Sequence, residues 1–597
     1  MGYLNPMVVR AELILIVVAL ALVALAFAFV MPRRMFRSRI PFAAACCAIA
    51  GFAPVILYAV IDHGRAEGHA LWEWSAVGGP TIQASYRLDG LAAIGVAIGA
   101  LYTAAALVAT TRVTARHQLL RPVILLNGLA FIVLVVTDDL IADIVVLGAL
   151  AALTSFVAML VSPAASVARI TGYLAGGVQL FVVAALLVSR FGGASFRFDT
   201  ISPDSMTPGV ILAASLGAAL FAGLYPFVPW GYRSDEAGER ESLRGLLTMP
   251  AGLGATLLLV RILGITRIDI ATIGLPQIIS PALIAIVVAA LALRFIVRRR
   301  RSRLRRRIAI SAAVLVFIQL YPFLHWSHLI LFASLLTIAY AAAVSLALPE
   351  QWTISRYDVV LAALWIALAT GSPTALAGAV VVLAGGALAA VSDAFWTPPH
   401  RSYITSMASS TVVVAGAIFI ALGATEAPDL LTVALAVLAA GAVVGLELAH
   451  AGRRLSIAAV PADLDVSASI AAFLGTIMVV LLLTLPLFDA MATALGRPNT
   501  RTLDDLVTLV PVIAVVSTLL VVVARAVRVL LPESTAVSAR LEAVVSIVDP
   551  VPIAAASFRA LAGSATAASG VFAAFEERAG VWLALILIAT LLVWAVR

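Results

Sequence analysis

The chain contains no lysine: apart from 7 histidines, all 39 of its basic side chains are arginine. Burial can push a lysine towards neutral pKa, so that it picks up and releases protons, whereas arginine stays charged. A proton relay built on lysine is therefore excluded. Cysteine is nearly absent as well. The two present, Cys46 and Cys47, are adjacent inside an apolar run, which rules out a disulfide framework and supplies too few ligands for zinc or an iron-sulfur cluster. They read as small core residues. No glycine-rich phosphate loop and no flavin or dinucleotide fingerprint occurs, so no cofactor is expected. Charged residues make up only 12% of the chain, and no polar stretch is long enough to fold as a soluble domain.

What the chain does contain is hydrophobic side chains, 63% of the total, far above the content of a soluble globular domain. Apolar runs of about 20 residues, the length that crosses ~30 Å of hydrocarbon, recur nearly end to end and predict roughly 16 to 18 spans. The fold class expected is thus an all-α polytopic membrane protein, multi-pass in the inner (cytoplasmic) membrane with the lipid bilayer around it. The first run, Glu12 to Val30, lacks a small-residue cleavage pattern and reads as a retained span. The net charge of +8 is no signal for nucleic acid, because the arginines sit in short loops. Arg33 to Arg39, Arg112 to Arg121 and the dense cluster Arg298 to Arg307 orient the chain by the positive-inside rule, leaving the N-terminus and the Asp62 to Asp89 loop outside. The same cluster could also meet anionic lipid or a partner subunit.

The rest is organised around Val210 to Ile262. An apolar helix is interrupted at Tyr225-Pro226-Phe227, reaches Pro229 and Trp230, passes a loop of mixed charge and resumes as a helix closing on Arg261. Prolines in a spanning helix leave carbonyls without partners, and such breaks persist mainly where protein or a water-filled cavity covers them. This pattern resembles the central broken helix of the antiporter-like family, the large membrane subunits of NADH-quinone oxidoreductase (L, M and N), Mrp antiporters, membrane hydrogenases and DabB-type carbon uptake systems. Pro226, Trp230 and Arg261 match the family scaffold. The family's lysine falls at about Phe221.

Further matches occur in the same order. Leu88-Asp89-Gly90-Leu91 resembles the family's entry to a span, where Asp89 also suits an ordinary helix cap. Matching Asp139 and Ser155-Phe156 to the ends of the next family helix puts its essential glutamate at Ala149 and its tryptophan at Gly148. Asp143 is either a relocated acid or, by the plainer reading, a water-facing residue beside Asp138 and Asp139. Ala309, Ser311 and Ala312 resemble a helix entry, and His325 and His328 sit at a histidine-bearing approach. Three apart, the two histidines share a helical face and suit proton relay, metal or simple interfacial roles. Gly371-Ser372-Pro373 resembles a second break, and two broken helices in corresponding halves are what an inverted-repeat scaffold predicts. Near a cytoplasmic end, Glu447 and His450 form an acid/base pair or an interfacial network with Arg453 and Arg454.

The organisation expected is therefore 1–87 as N-terminal spans, 88–400 as the antiporter-like core, 401–535 as additional spans, and 536–597 compatible with a lateral helix and a final anchor. The resemblance implies an ion-translocating complex with other membrane and peripheral subunits as partners, any redox or hydration chemistry belonging to those chains. Three readings stand. The chain is a subunit whose own channel is degenerate; or it moves protons or cations through relocated groups, Asp143, His325, His328, Asp393 and Glu447; or it is an unrelated secondary transporter for an apolar or anionic solute.

Overall fold

The computed structural model describes residues 69–75, 81–87, 89–110, 119–162, 164–190, 195–228, 239–266, 273–274, 324–347, 352–395, 399–457, 487–495 and 549. Cys46, Cys47, Trp230, the Arg298 to Arg307 cluster and the expected lateral helix lie outside them, as do the side chains of Asp393 and His450. The chain divides into two units, Met1–Val548 and Asp549–Arg597, and every element below belongs to the first.

A two-stranded antiparallel hairpin, β1 (His69–Ser75) and β2 (Thr81–Tyr86), precedes the described helices. Four helices follow: α1 (Gly90–Ala109), α2 (Leu120–Val136), α3 (Leu140–Val161) and α4 (Ala164–Arg190). Next come α5 (Pro208–Ala222) and α6 (Glu239–Ile265). The later set is α7 (Trp326–Ala347), α8 (Trp352–Thr370), α9 (Pro373–Phe395), α10 (Pro399–Ala424) and α11 (Leu430–Ile457), with a short α12 (Leu487–Ala494). Seven of the described helices are long and apolar enough to cross a membrane. The chain is an all-α polytopic membrane protein.

Sequence explains where these helices begin and end. Asp89 caps α1 by accepting the Ala92 N–H at 2.7 Å, and Asp139 caps α3 by accepting those of Ile141 and Ala142 at 2.9 and 3.0 Å. Pro208 opens α5, where its missing N–H costs nothing, and Gly223 closes it in the left-handed region at φ 65°. Between their ends the helices are apolar nearly all round, the pattern of segments buried in lipid or protein on every side.

α6 lies inside the bundle, packed on α1, α2, α3, α5 and α8. α9 and α10 form the closest helix pair. A Cβ at Gly378 would fall 2.7 Å from the Gly416 carbonyl oxygen, and one at Gly416 would fall 2.6 Å from that of Gly378. Only glycine lets two backbones meet so closely, a usual solution where lipid offers no hydrophobic drive for helix association.

The two breaks sit at different depths. The end of α5 lies at mid-bundle: a Cβ on Gly252, halfway along α6, would be 3.1 Å from the Phe221 carbonyl oxygen, and Tyr225 N–H donates at 2.8 Å to Thr337, midway along α7. Gly371-Ser372-Pro373, by contrast, joins two long helices in a reversal. Gly386 of α9 comes back beside Val360 of α8, and the turn is held by Glu426 of the α10–α11 loop, at the helix ends. The break that the sequence places at Gly371-Ser372-Pro373 is thus a turn between α8 and α9. Gly371 takes φ 64° because the reversal needs a left-handed residue there.

Candidate functional site

Among the described residues, ionisable groups in the bundle collect at two ends. At the hairpin end, short β-bridges tie Tyr86 to Thr137 and Asp139 to Arg197. Arg261, near the end of α6, crosses to the last carbonyls of α2. It donates to Thr137 O and, at 2.6 Å, to Val135 O, lies 3.6 Å from Asp89 Oδ1, and stands 6.0 Å from the Phe198 ring. A cation on a helix C-terminus answers both the orphan carbonyls and the helix dipole. Arg261, matched in sequence as scaffold, thus ties the end of α6 to the end of α2.

Around it stand Asp138, wholly buried and 3.8 Å from Arg87 and 4.0 Å from Arg197, and Asp139, whose second oxygen accepts the Gln83 N–H at 3.1 Å. Burial pushes the Asp138 carboxyl up to about 6, against the pull of Arg87, Arg261 and Arg197. Burial also raises Asp139, opposed by its backbone hydrogen bonds. Asp143, one turn further in, is 1% exposed and neither carboxylate oxygen has a hydrogen-bond partner. The plainer expectation, three acids facing water, is corrected: all three are buried, because the β-hairpin and the 195–201 segment cover this end of the bundle.

A second group at the same end joins α7, the α8–α9 turn and the α10–α11 loop. His328 Nδ1 accepts the His325 backbone N–H at 2.9 Å, and its Nε2 lies 3.0 Å from Asp429 Oδ1. With Nδ1 accepting, a proton on Nε2 is donated to Asp429. Asp429 also caps α11 through Thr432 N–H at 2.7 Å. Burial would raise its carboxyl, but the hydrogen bonds from Thr432 and His328 outweigh it and hold Asp429 below the ordinary value. Glu426 accepts from Ser372 at 2.7 Å and Thr374 at 3.0 Å. His325 and His328 come together, their ring centroids 5.2 Å apart, and among the described residues no metal-ligand group forms around them or elsewhere.

At the far end, Arg356 of α8 and Glu447 of α11 form a buried pair at 3.0 Å, with exposures of 3% and 1%. Ser410 donates to the same Glu447 oxygen at 2.8 Å, while Arg356 Nε and Nη1 and Glu447 Oε1 have no hydrogen-bond partner. Glu447 is therefore paired across helices with an arginine. Sequence reasoning missed Arg356, although an arginine inside an apolar helix is itself the signal.

Between these ends lies the α5 break. Phe221, at the family's lysine position, is buried, its ring so close to Gly177 of α4 that a Cβ there would fall 2.5 Å from it. Ala149, matched to the family's glutamate, faces out of the bundle, and its inward neighbours are Leu147 and Leu150, each wholly buried. The polar contacts at this depth are neutral: Thr154 donates to Asn127 at 3.3 Å, and Asn127 to Leu247 O at 3.3 Å. Pro226, in a cis peptide bond with Tyr225, follows the end of α5.

No family model matches the sequence, and no curated protein matches it either. Solved structures do match in shape. A chain of respiratory complex I from Thermus thermophilus with bound NADH superposes with a TM-score of 0.52 at 16% identity, covering 81% of this chain and 100% of its own length. A chain of the Mrp complex from Dietzia sp. DQ12-45-1b gives 0.58 at 16% identity over 97% of this chain and 63% of that one. A chain of the membrane-bound sulfane sulfur reductase, an archaeal respiratory membrane complex, gives 0.50 at 14% identity over 78% and 75%. At such identities the likeness is one of fold, and the fold is the one the sequence resemblance implied.

Proposed function

We propose that the chain is an antiporter-like integral subunit of a larger proton- or cation-coupled membrane complex, of the complex I, hydrogenase or inorganic-carbon uptake kind, with its own transmembrane relay interrupted. In this role it builds and seals the membrane part of the assembly, while neighbouring subunits carry the coupled chemistry and the ion path. The shared fold supports the first half of this reading.

The observation that carries the second half is where the ionisable side chains stop. From the hairpin end they reach Asp143 and Arg261, and from the far end Arg356, Asp358 and Glu447; between them the described spans present Phe221, leucines and the neutral Asn127–Thr154 pair. A proton moving between groups at the two ends would have to cross that gap without a titratable carrier, where an unpaired charge is costly. The test is reconstitution of the purified, monodisperse chain in liposomes with a pH- or sodium-sensitive dye inside. No flux above protein-free liposomes is expected under an imposed gradient and potential; a saturable flux abolished by Asp143→Asn or Glu447→Gln would favour the active-pathway reading instead.

A further inference from the structure

Asp358 of α8 takes part in none of the networks above. It is half-buried two turns into α8, and no hydrogen-bond or ion-pair partner stands beside it among the described residues. Its neighbour Arg356 turns the other way, to Glu447. Asp358 instead lines a small open cleft of about 30 Å³, whose wall also carries Phe221, Gly223, Thr248, Tyr173 and Tyr357. The cleft therefore runs from the α5 break at mid-bundle towards the far end, where Tyr357 stacks edge-on to Tyr102 of α1 at 6.2 Å.

A carboxylate inside a spanning helix is expensive and is kept where it meets water or a partner. Here the described residues offer no partner group, and the space is present. The groups facing it can be named from each packed element: Tyr173 from α4, with Arg169 one turn away; Thr248 and Met249 from α6; the uncharged end of α5, Leu220 to Gly223; and Tyr357 on α8 itself. Among the described residues the lining supplies no cation to hold the acid ionised and no second acid to complete a metal site. We propose that Asp358 is a proton-accepting site at the bottom of this cleft, loaded from the membrane face that bears the α1–α2 connection and closed towards the hairpin end by Phe221 and the end of α5. The proposal goes beyond the interrupted relay: it gives the chain one half of a path, filled and emptied from one side.

Carbodiimide labelling tests it. Dicyclohexylcarbodiimide enters membranes and adds to a protonated carboxyl, the acid O–H adding across one C=N bond to give an O-acylisourea that rearranges to a stable N-acylurea. In native membranes holding the full chain, with peptide mass spectrometry as readout, label is expected on Asp358, rising at least several-fold as pH is lowered from 9 to 6. It should disappear in Asp358→Asn and persist in Asp358→Glu. Sidedness is read separately: Asp358→Cys with Cys46 and Cys47 replaced by serine should react with a membrane-impermeant maleimide from the α1–α2 face only. Absence of label on Asp358 while another buried carboxyl is modified, or reaction of the cysteine from the hairpin face, would overturn the proposal. Neither result depends on flux or on partner subunits, so this site and the proposed function fail separately.

Discussion

Removing one member of the Arg356–Glu447 pair is the perturbation whose size the structure best defines. The two charges are 3.0 Å apart, at 3% and 1% exposure, with three of their polar atoms already without partners. Neither charge can relax into water, so Glu447→Leu strands a guanidinium and Arg356→Met strands a carboxylate. Breaking such a pair from one side costs about 3–5 kcal/mol. Replacing both partners by apolar residues of similar volume is often close to neutral, so Arg356→Met with Glu447→Leu should cost far less than the sum of the singles, leaving a coupling of several kcal/mol in the double-mutant cycle. The assay is thermal unfolding of the purified chain in one detergent, by intrinsic fluorescence and loss of monodispersity, for the four proteins of the cycle. If each single variant unfolds like wild type, or if the double variant simply adds the two losses, the pair is not the buried electrostatic clamp between α8 and α11 described here.

Other outcomes follow from the same contacts. The raised carboxyl of Asp138, about 6 against an ordinary 3.8, means the folded state binds its proton more tightly than the unfolded one; stability should fall as pH rises from about 4 to 6, by on the order of 2–3 kcal/mol, and Asp138→Asn should flatten a melting-temperature profile over that range. Arg261→Met should lose both α2 carbonyl contacts and destabilise by about 2–4 kcal/mol, while Arg261→Lys, with one ammonium in place of a fork, should recover only part of it in the same assay. Gly416→Val should separate α9 from α10, read as loss of monodisperse protein on size exclusion, whereas Gly441→Ala, at a position with open space for a Cβ, should behave as wild type.

Much of the fold was legible because it is written in long apolar runs, caps and breaks. Asp89 and Asp139 mark helix starts by a local rule, and Pro208 and Gly223 bracket α5 in the same way. Depth was less legible. Tyr225-Pro226 and Gly371-Ser372-Pro373 look alike as sequence, yet one lies beside the middle of α6 and the other at a helix-hairpin turn, a difference set by what packs against them. Burial was misread at this end of α3 for a related reason: β2 and residues 195–201, distant in sequence, pair with Asp138 and Asp139. Partner choice was least legible of all. Glu447 lies three residues from His450 but pairs with Arg356, 91 residues away, and Asp429 reaches back 101 residues to His328. Local spacing suggests i, i+3 partners, while tertiary packing decides which of them a buried charge meets.

The central claim is that this chain is one subunit of a larger membrane complex. The most direct measurement is gentle extraction of the tagged chain from its native membrane into nanodiscs, with mass spectrometry and native mass determination of what accompanies it. Stoichiometric recovery of further integral membrane subunits, together with redox or carbon-hydrating chains, is the predicted result. Recovery of the chain alone, monodisperse and at the mass of one copy, would contradict it.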